Sequence, residues 1–108
     1  MSQTRGGLVK GDVVIVDFDK PLNHSYNALS VTENHLASKG QVGTVHQTMH
    51  GDPYFKLKGV THTGYFHDKM VKSITGLTED TLFDAYISGG MSDEAYQKAL
   101  EAIKRGTR

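Results

Sequence analysis

Histidine is the residue type in this chain with the most evident capacity for chemistry, since six histidines occur among 108 residues. His46 and His50 stand four positions apart, His62 and His67 stand five apart, and imidazole nitrogens are common metal ligands. A spacing of four converges on one ion when it lies on a helix, whereas these residues lie in predicted strands and turns. Cysteine is absent, and no carboxylate is spaced to complete a site. The sequence therefore predicts no metal site. It predicts instead that the histidines are solvated or lie on strand edges.

Two carboxylates, Asp17 and Asp19, are close enough in sequence to suggest a pair for general acid–base catalysis. They flank the end of a predicted strand, where carboxylates are most often simply solvated. The chain has no P-loop, no dinucleotide-binding glycine motif and no nucleophile motif. These observations predict a protein that is not an enzyme and that uses no cofactor.

Composition limits the class of protein further. Of the residues, 37% are apolar and 22% are charged, as in ordinary soluble domains. No apolar run approaches the length of a transmembrane helix and no secretion signal is present, so we expect a cytoplasmic protein. Residues 1–7 are polar and rich in glycine, and are expected to fray. This character suits a small accessory protein of a bacterium or a bacteriophage.

Short runs of β-branched and alternating residues predict a mainly β domain over residues 8–76. In the first strand, over residues 13–18, Val14, Val16 and Phe18 would share the face that is turned to the core. The remaining strands are predicted over residues 40–47, 54–58 and 65–67, with a last turn and strand over 68–74. Four or five strands this short, separated by turns that contain glycine, favour a small barrel over a βαβ fold.

The segment 19–39 is long and irregular for a loop in so small a domain. Pro21 and Asn23 favour a turn, and Thr32 could begin one short helical turn. Long loops often carry function, although a tolerated insertion between two strands is the alternative. Beyond this segment, Gly43 lies inside the second predicted strand and indicates a bulge or a close backbone approach.

The residues from 77 to 106 change to a helical period and predict a helical hairpin. Thr78 and Ser92 are good N-caps, each followed by two acidic residues. The glycines of the sequence Ser88, Gly89 and Gly90 would end the first helix. Two apolar stripes predict an interface formed by Phe83, Tyr86, Tyr96, Leu100 and Ile103. These stripes must dock on the β domain, on another copy of the chain or on a partner.

Four motifs together resemble the SH3-like barrels. They lie at residues 10–16 (KGDVVIV), 39–45 (KGQVGTV), 54–57 (YFKL) and 66–71 (FHDKMV). Domains of the KOW type in ribosomal and transcription proteins, MIB-HERC2-type domains and photosystem subunits of the PsaE type share this layout. The resemblance covers residues 9–74 and implies a small SH3-like barrel of four to five strands, a fold that serves many functions.

The hairpin is similar to the short C-terminal helical motif called SHOCT. In that motif a helix ends at a glycine turn and a Ser-Asp-Glu start opens the next helix, as in residues 86–96 (YISGGMSDEAY). Ala95 stands where the motif usually has an acidic residue. The family is linked with oligomerisation and with attachment to other domains, so the resemblance implies self-association through the tail as one role.

Protein binding is the function that we favour from the sequence. SH3-like barrels offer exposed aromatic side chains and long loops to partner proteins, so the resemblance implies a non-enzymatic binding module. The candidate partner-binding residues lie in the long loop and on the strands that follow it: His24, Tyr26, Leu29, Tyr54 and Tyr65.

Nucleic-acid binding is the alternative function, on a face where lysines alternate with aromatic residues. The lysines concerned are Lys10, Lys39, Lys56, Lys58, Lys69 and Lys72. Residues 1–76 hold eight Lys and Arg against six Asp and Glu, a net charge of only +2, and Arg5 is their one arginine. A dedicated nucleic-acid binder usually carries a larger basic excess.

Overall fold

The computed structural model describes residues 3–26, 28–89 and 91–106, and a five-stranded antiparallel sheet forms its centre. In spatial order its strands are β6 (Tyr65–His67), β5 (Tyr54–Lys58), β4 (Val42–Thr48), β1 (Val13–Val16) and β7 (Val71–Ser73). A 3-10 turn over Asp68–Met70 carries the chain from β6 to β7. The last strand therefore returns to pair with the first one.

The long segment between β1 and β4 is itself structured. It contains a two-stranded sheet of β2 (Ser25–Tyr26) and β3 (Leu29–Ser30), and then α1 (Glu33–Ala37). The tail forms two further helices, α2 (Glu79–Ile87) and α3 (Asp93–Gly106). The predicted helical turn at Thr32 and the predicted C-terminal helices are confirmed.

The five-stranded sheet is open, with β6 and β7 as its two edges, so the predicted closed barrel is not formed. Helix and strand are about equally common, at 30% and 28%, and the mainly β prediction holds only loosely. The sheet does not need to close, because separate layers cover its two faces: the long segment on one side and the tail helices on the other.

The first core lies between the sheet and the long segment. Val14 and Val16 are fully buried there, and Phe18 joins them, as the alternation predicts. Tyr26 and Val31 pack against them from the long segment. The irregular segment is thus a covering layer of the core.

The second core lies on the opposite face of the same sheet. Ile15 is fully buried against Leu82 of α2 and against Ala95 and Ala99 of α3. The small alanine side chains let α3 approach the sheet closely. Because both faces of β1 are covered, its sequence is a continuous apolar run. Of the three destinations expected for the tail stripes, the structure places α2 and α3 on the sheet.

The helices begin where their capping residues lie. Thr32 and Thr78 each accept a hydrogen bond from the backbone N–H three residues on, within a capping box. Ser92 accepts one from the N–H of Ala95, at 3.1 Å, and so caps α3. The predicted stop after α2 includes Gly89, whose φ is +87°, and Gly90, which lies outside the described residues.

Gly43 is a point of close approach, as the sequence predicts. A Cβ atom there would lie 2.8 Å from the carbonyl oxygen of Lys58 on the neighbouring strand, so a side chain has no room. The bulge falls slightly later, where the register between β4 and β5 shifts between Val45 and Gln47.

The prediction that residues 1–7 fray is wrong for residues 3–7. Thr4 is 2% exposed, and its backbone N–H donates to the carbonyl of Leu8 at 2.9 Å. The hydroxyl of Thr4 donates to Asp68 at 2.7 Å. The glycine-rich, polar composition did not predict this order, because the hydrogen-bond partner of Thr4 is Asp68, which is distant in the sequence.

Candidate functional site

The β2–β3 hairpin of the long segment lies against the β6 edge of the large sheet. Within the hairpin Tyr26 pairs with Leu29 across the two strands. The backbone N–H of Ala28 donates to the hydroxyl of Tyr54 on β5, at 3.1 Å. The tip of the loop is therefore held over the sheet by a bond that reaches outside the hairpin.

A row of four rings runs from the hairpin to the sheet, and we call it the aromatic row: His24, Tyr26, His67 and Tyr54. Tyr26 meets His24 edge to face, with ring centroids 4.9 Å apart, and stacks on His67 at 5.3 Å. Tyr54 meets His67 edge to face at 5.7 Å. These distances are those of favourable ring pairs, so the row fixes the hairpin on the sheet edge.

A small concavity of about 180 Å³ opens on one side of the aromatic row, and we call it the apolar pocket. It is lined by Ala28, Leu29, Met49, Tyr54 and Tyr65. Lys56 extends over the ring of Tyr65, with its Nζ atom 5.0 Å from the ring centroid. The size and lining of the pocket suit one aliphatic or aromatic side chain.

A larger concavity of about 680 Å³ opens on the other side of the row, and we call it the basic cleft. It is lined by Arg5, Gly6, Lys20, His24, Ser25, Tyr26, Pro53, His67, Asp68 and Lys69. The lining includes three cationic side chains, Arg5, Lys20 and Lys69, and one carboxylate, Asp68. The cleft therefore combines a positive rim with an aromatic wall.

Asp68, the carboxylate that lines the basic cleft, is hydrogen-bonded to the N-terminal segment that carries Arg5. Asp68 accepts from the hydroxyl of Thr4 and from the backbone N–H of Gly6, both at 2.7 Å. A Cβ atom on Gly6 would lie 2.8 Å from the carboxyl carbon of Asp68, so a larger residue at this position would have to displace the Asp68 side chain. The backbone N–H of Arg5 donates to the carbonyl of Asp52 at 2.9 Å. The arginine thus projects from a fixed piece of backbone.

Burial shifts the protonation of two rings in the aromatic row. The pKa of His67 is lowered, chiefly by burial, and the nearby Lys69 and Arg5 lower it further while Asp68 opposes them. The Nδ1 atom of His67 accepts from the backbone N–H of Lys69 at 3.1 Å, so that nitrogen carries no proton. The pKa of Tyr26 is raised by burial and by the charge of Asp19. Near neutral pH the stacked pair is therefore uncharged.

All five predicted partner-binding residues lie on these two concavities. His24 and Tyr26 line the basic cleft, whereas Leu29, Tyr54 and Tyr65 line the apolar pocket. The sequence reasoning did not select the residues that complete the two sites: Arg5, Lys20, Met49 and His67. Lys20 lies in the long loop that the sequence already marked as a candidate, whereas Arg5, Met49 and His67 reach the site from segments that the fold brings there.

The six lysines of the nucleic-acid hypothesis are placed differently. Of the six, Lys69 is the one that lines the basic cleft. Lys39 and Lys56 extend over aromatic rings, and Lys72 lies 4.0 Å from the carboxylate of Asp17. Lys10 and Lys58 are exposed. The six lysines therefore do not line one shared concavity.

Two histidines outside the aromatic row, His35 of α1 and His62, form a contacting pair. The rings of His35 and His62 are 3.8 Å apart, and both meet the ring of Phe66 edge to face. His35 accepts from the N–H of Thr32 through Nδ1 at 2.9 Å and bonds the carbonyl of Tyr65 through Nε2 at 2.8 Å, so Nε2 carries the proton. The pair ties α1 to the sheet edge.

His62 is the less satisfied member of this pair. Its Nδ1 atom is buried and has no hydrogen-bond partner among the described residues. Burial lowers the pKa of His62, and the nearby His35 lowers it further. A proton on His62 would therefore be costly while the chain is folded.

The predicted tail interface separates into a docked part and an exposed part. Leu100, Ile103 and Tyr96 pack against the second core. Tyr86 stacks on Tyr96 with ring centroids 4.4 Å apart, and Phe83 meets Tyr96 at 6.2 Å while 47% of it stays exposed. Self-association through the tail stays a prediction.

Across residues 3–26, 28–89 and 91–106, no group of three or more His, Cys, Asp or Glu side chains is arranged to hold a metal ion. No helix in the part of the chain that the structure describes is long and apolar enough to cross a membrane.

Comparisons of the chain with protein-family models, with curated proteins and with solved structures found no match in any of the three.

Proposed function

We propose that this protein is a non-enzymatic binding module that contacts another protein through the hairpin of its long loop. The observation that carries the proposal is the apolar pocket, where loop residues Ala28 and Leu29 meet Tyr54 and Tyr65 of the sheet. An apolar concavity beside a positively charged rim is a common form of peptide-binding site.

The finer fold proposal is an SH3-like arrangement in an open form. Its support is the order of the elements: a first strand, a long loop, a three-stranded meander and a short last strand that returns to the first. The helical hairpin packed on the outer face would be an addition to that arrangement.

Nucleic-acid binding has weaker support in the geometry. Three of the six candidate lysines already contact an aromatic ring or a carboxylate: Lys39, Lys56 and Lys72. A salt-dependent shift of an oligonucleotide in electrophoresis, lost when Lys10 and Lys58 are changed to Gln, would favour it over protein binding.

Selection from a display library of random linear peptides tests the protein-binding proposal. The variant Met49→Glu places a charge at the mouth of the apolar pocket, at a side chain that is 36% exposed. The matched control is Ile87→Glu, at an apolar side chain that is 61% exposed on α2. Peptides enriched on the wild-type protein should bind Ile87→Glu normally and Met49→Glu poorly. Failure to enrich any peptide, or equal binding to both variants, would contradict the proposal.

A further inference from the structure

The charges of the basic cleft point to the chemistry of the ligand. The ion pairs among the described residues are Lys72 with Asp17 and Arg105 with Glu101. Arg5, Lys20 and Lys69 are exposed and stand in no such pair. Cations gathered in a concavity beside an apolar wall raise the local concentration of anions and bind them more tightly than scattered surface charges do.

Three carboxylates lie near these cations. Asp68 lines the basic cleft and is bonded to the segment that carries Arg5. Asp17 and Asp19 line a neighbouring groove, which Lys20, Tyr26 and Lys69 also line. The lining of the basic cleft itself holds three cations and one carboxylate, and this positive excess favours a negatively charged occupant.

The apolar pocket favours a peptide over a nucleic acid as that occupant. The aromatic row joins the two concavities, since Tyr26 and His67 line the basic cleft and Tyr54 lines the apolar pocket. Two ring-to-ring steps of 5.3 and 5.7 Å join Tyr26 to Tyr54 through His67. An extended peptide rises about 3.3 Å per residue, so a few residues would span both concavities. A side chain carboxylate could reach the cations while a neighbouring aliphatic side chain filled the pocket.

We propose that the basic cleft and the apolar pocket together bind an extended segment of a partner protein that carries an Asp or Glu about two to four residues from a large aliphatic side chain. This inference rests on the proposed function and adds the chemistry of the partner. Arg5, Lys20 and Lys69 bind the carboxylate, and Leu29, Met49 and Tyr65 enclose the aliphatic group.

The test uses peptides enriched by display on the full chain. Each enriched peptide is paired with a copy in which Asp and Glu are replaced by Asn and Gln. Binding of both is measured to the wild type and to the triple variant Arg5→Gln, Lys20→Gln, Lys69→Gln. The control is the triple variant Lys10→Gln, Lys58→Gln, Lys104→Gln, which removes the same number of positive charges from exposed positions outside the cleft.

The expected result is an acidic residue in the enriched peptides and about tenfold weaker binding of the amide copies to the wild type. The cleft variant should bind acidic and amide peptides alike, whereas the control variant should keep the difference. All three altered side chains are exposed, and none forms an ion pair with another residue in the described ranges, so the cleft variant should melt at the temperature of the wild type.

Other results would overturn the inference in distinguishable ways. Enriched peptides that depend on Met49 but carry no acidic residue would leave the protein-binding proposal intact and remove the acidic partner. Equal losses of peptide binding in the cleft variant and the control variant would show that the net charge of the protein, and not the basic cleft, attracts acidic peptides. An oligonucleotide that binds through Arg5, Lys20 and Lys69 while acidic peptides do not would replace the peptide with a nucleic acid. Enrichment of no peptide at all would remove both proposals.

Discussion

The two faces of the central sheet are covered in different ways. Val14 and Ile15 are neighbours in β1 and both are fully buried, yet they face different layers. On the side of Val14 an irregular loop forms the cover through stacked rings and side-chain hydrogen bonds. On the side of Ile15 two helices form it through small and aliphatic side chains such as Ala95 and Ala99.

The difference shows where a binding site can form in this fold. Rings such as Tyr26 and His67 are buried themselves and leave concavities beside them. Ala95 and Ala99 fill the space between α3 and the sheet, and the concavity of about 450 Å³ beside α3 is lined by its charged side chains, such as Glu94 and Lys98. The proposed site therefore lies on the loop-covered side, and each of the following measurements can break or sharpen this contrast.

The largest effect is expected in the core beneath the loop. Phe66 is fully buried and meets Phe55, His35 and His62, so Phe66→Ala should lower the free energy of unfolding by about 3–5 kcal/mol. The same change at the half-exposed Phe83 should cost less than about 1 kcal/mol. Urea unfolding of both variants measures the difference. Similar losses would mean that α2 depends on Phe83 far more than its exposure indicates.

An intermediate effect is expected on the helix-covered face. Ala99 is fully buried against the second core, so Ala99→Leu should overpack it and cost about 1–3 kcal/mol. Ala37→Leu, at an exposed position of α1, is the matched control and should be within about 0.5 kcal/mol of the wild type. Thermal unfolding provides the measurement. A stable Ala99→Leu protein would show that α3 can move away from the sheet.

The smallest effect is a dependence on pH that belongs to the loop-covered side. The pKa values of His62 and His67 are lowered on folding, so the unfolded chain binds protons more readily in mildly acidic solution. Stability is therefore complete above the usual histidine pKa of about 6.5 and falls as the pH drops through the lowered values. Each unit of lowering corresponds to about 1.4 kcal/mol.

Unfolding at several values between neutral and mildly acidic pH measures this slope. His62→Phe keeps a ring against His35 and Phe66 but removes a titrating group, so its stability should fall less steeply with acid. Thr63→Ala, at an exposed neighbour of His62 that does not titrate, should keep the slope of the wild type. A slope that His62→Phe leaves unchanged would assign the acid sensitivity to other residues.

Local patterns predicted most of the elements of this fold. The alternation at Val14, Val16 and Phe18 identified the face of the first core, and Thr32 and Thr78 marked the starts of two helices. They could not show that Ile15 is equally buried, because the partners of its face lie at the other end of the chain. The predicted closed barrel was also wrong, since β6 and β7 do not pair and the long segment covers the first core instead.

The candidate site was predictable in part. An aromatic residue in a long loop is a reasonable candidate on its own, and Tyr26 lies on the site. Arg5 was not predictable, because its place depends on the bonds that Asp68 makes to the residues on either side of it, Thr4 and Gly6. The site draws on segments far apart in the chain, and sequence spacing carries no information about such contacts.

The sequence by itself determined the short strands, the capped helices and the absence of disulfide bonds, since backbone preference, side-chain alternation and residue type act locally. Only the tertiary structure decided that the sheet stays open and that His35 meets His62. It also decided that Arg5 and Lys69 share a cleft with Tyr26. The physical reason is that burial and charge depend on which distant segments come together, and those contacts are a property of the whole chain.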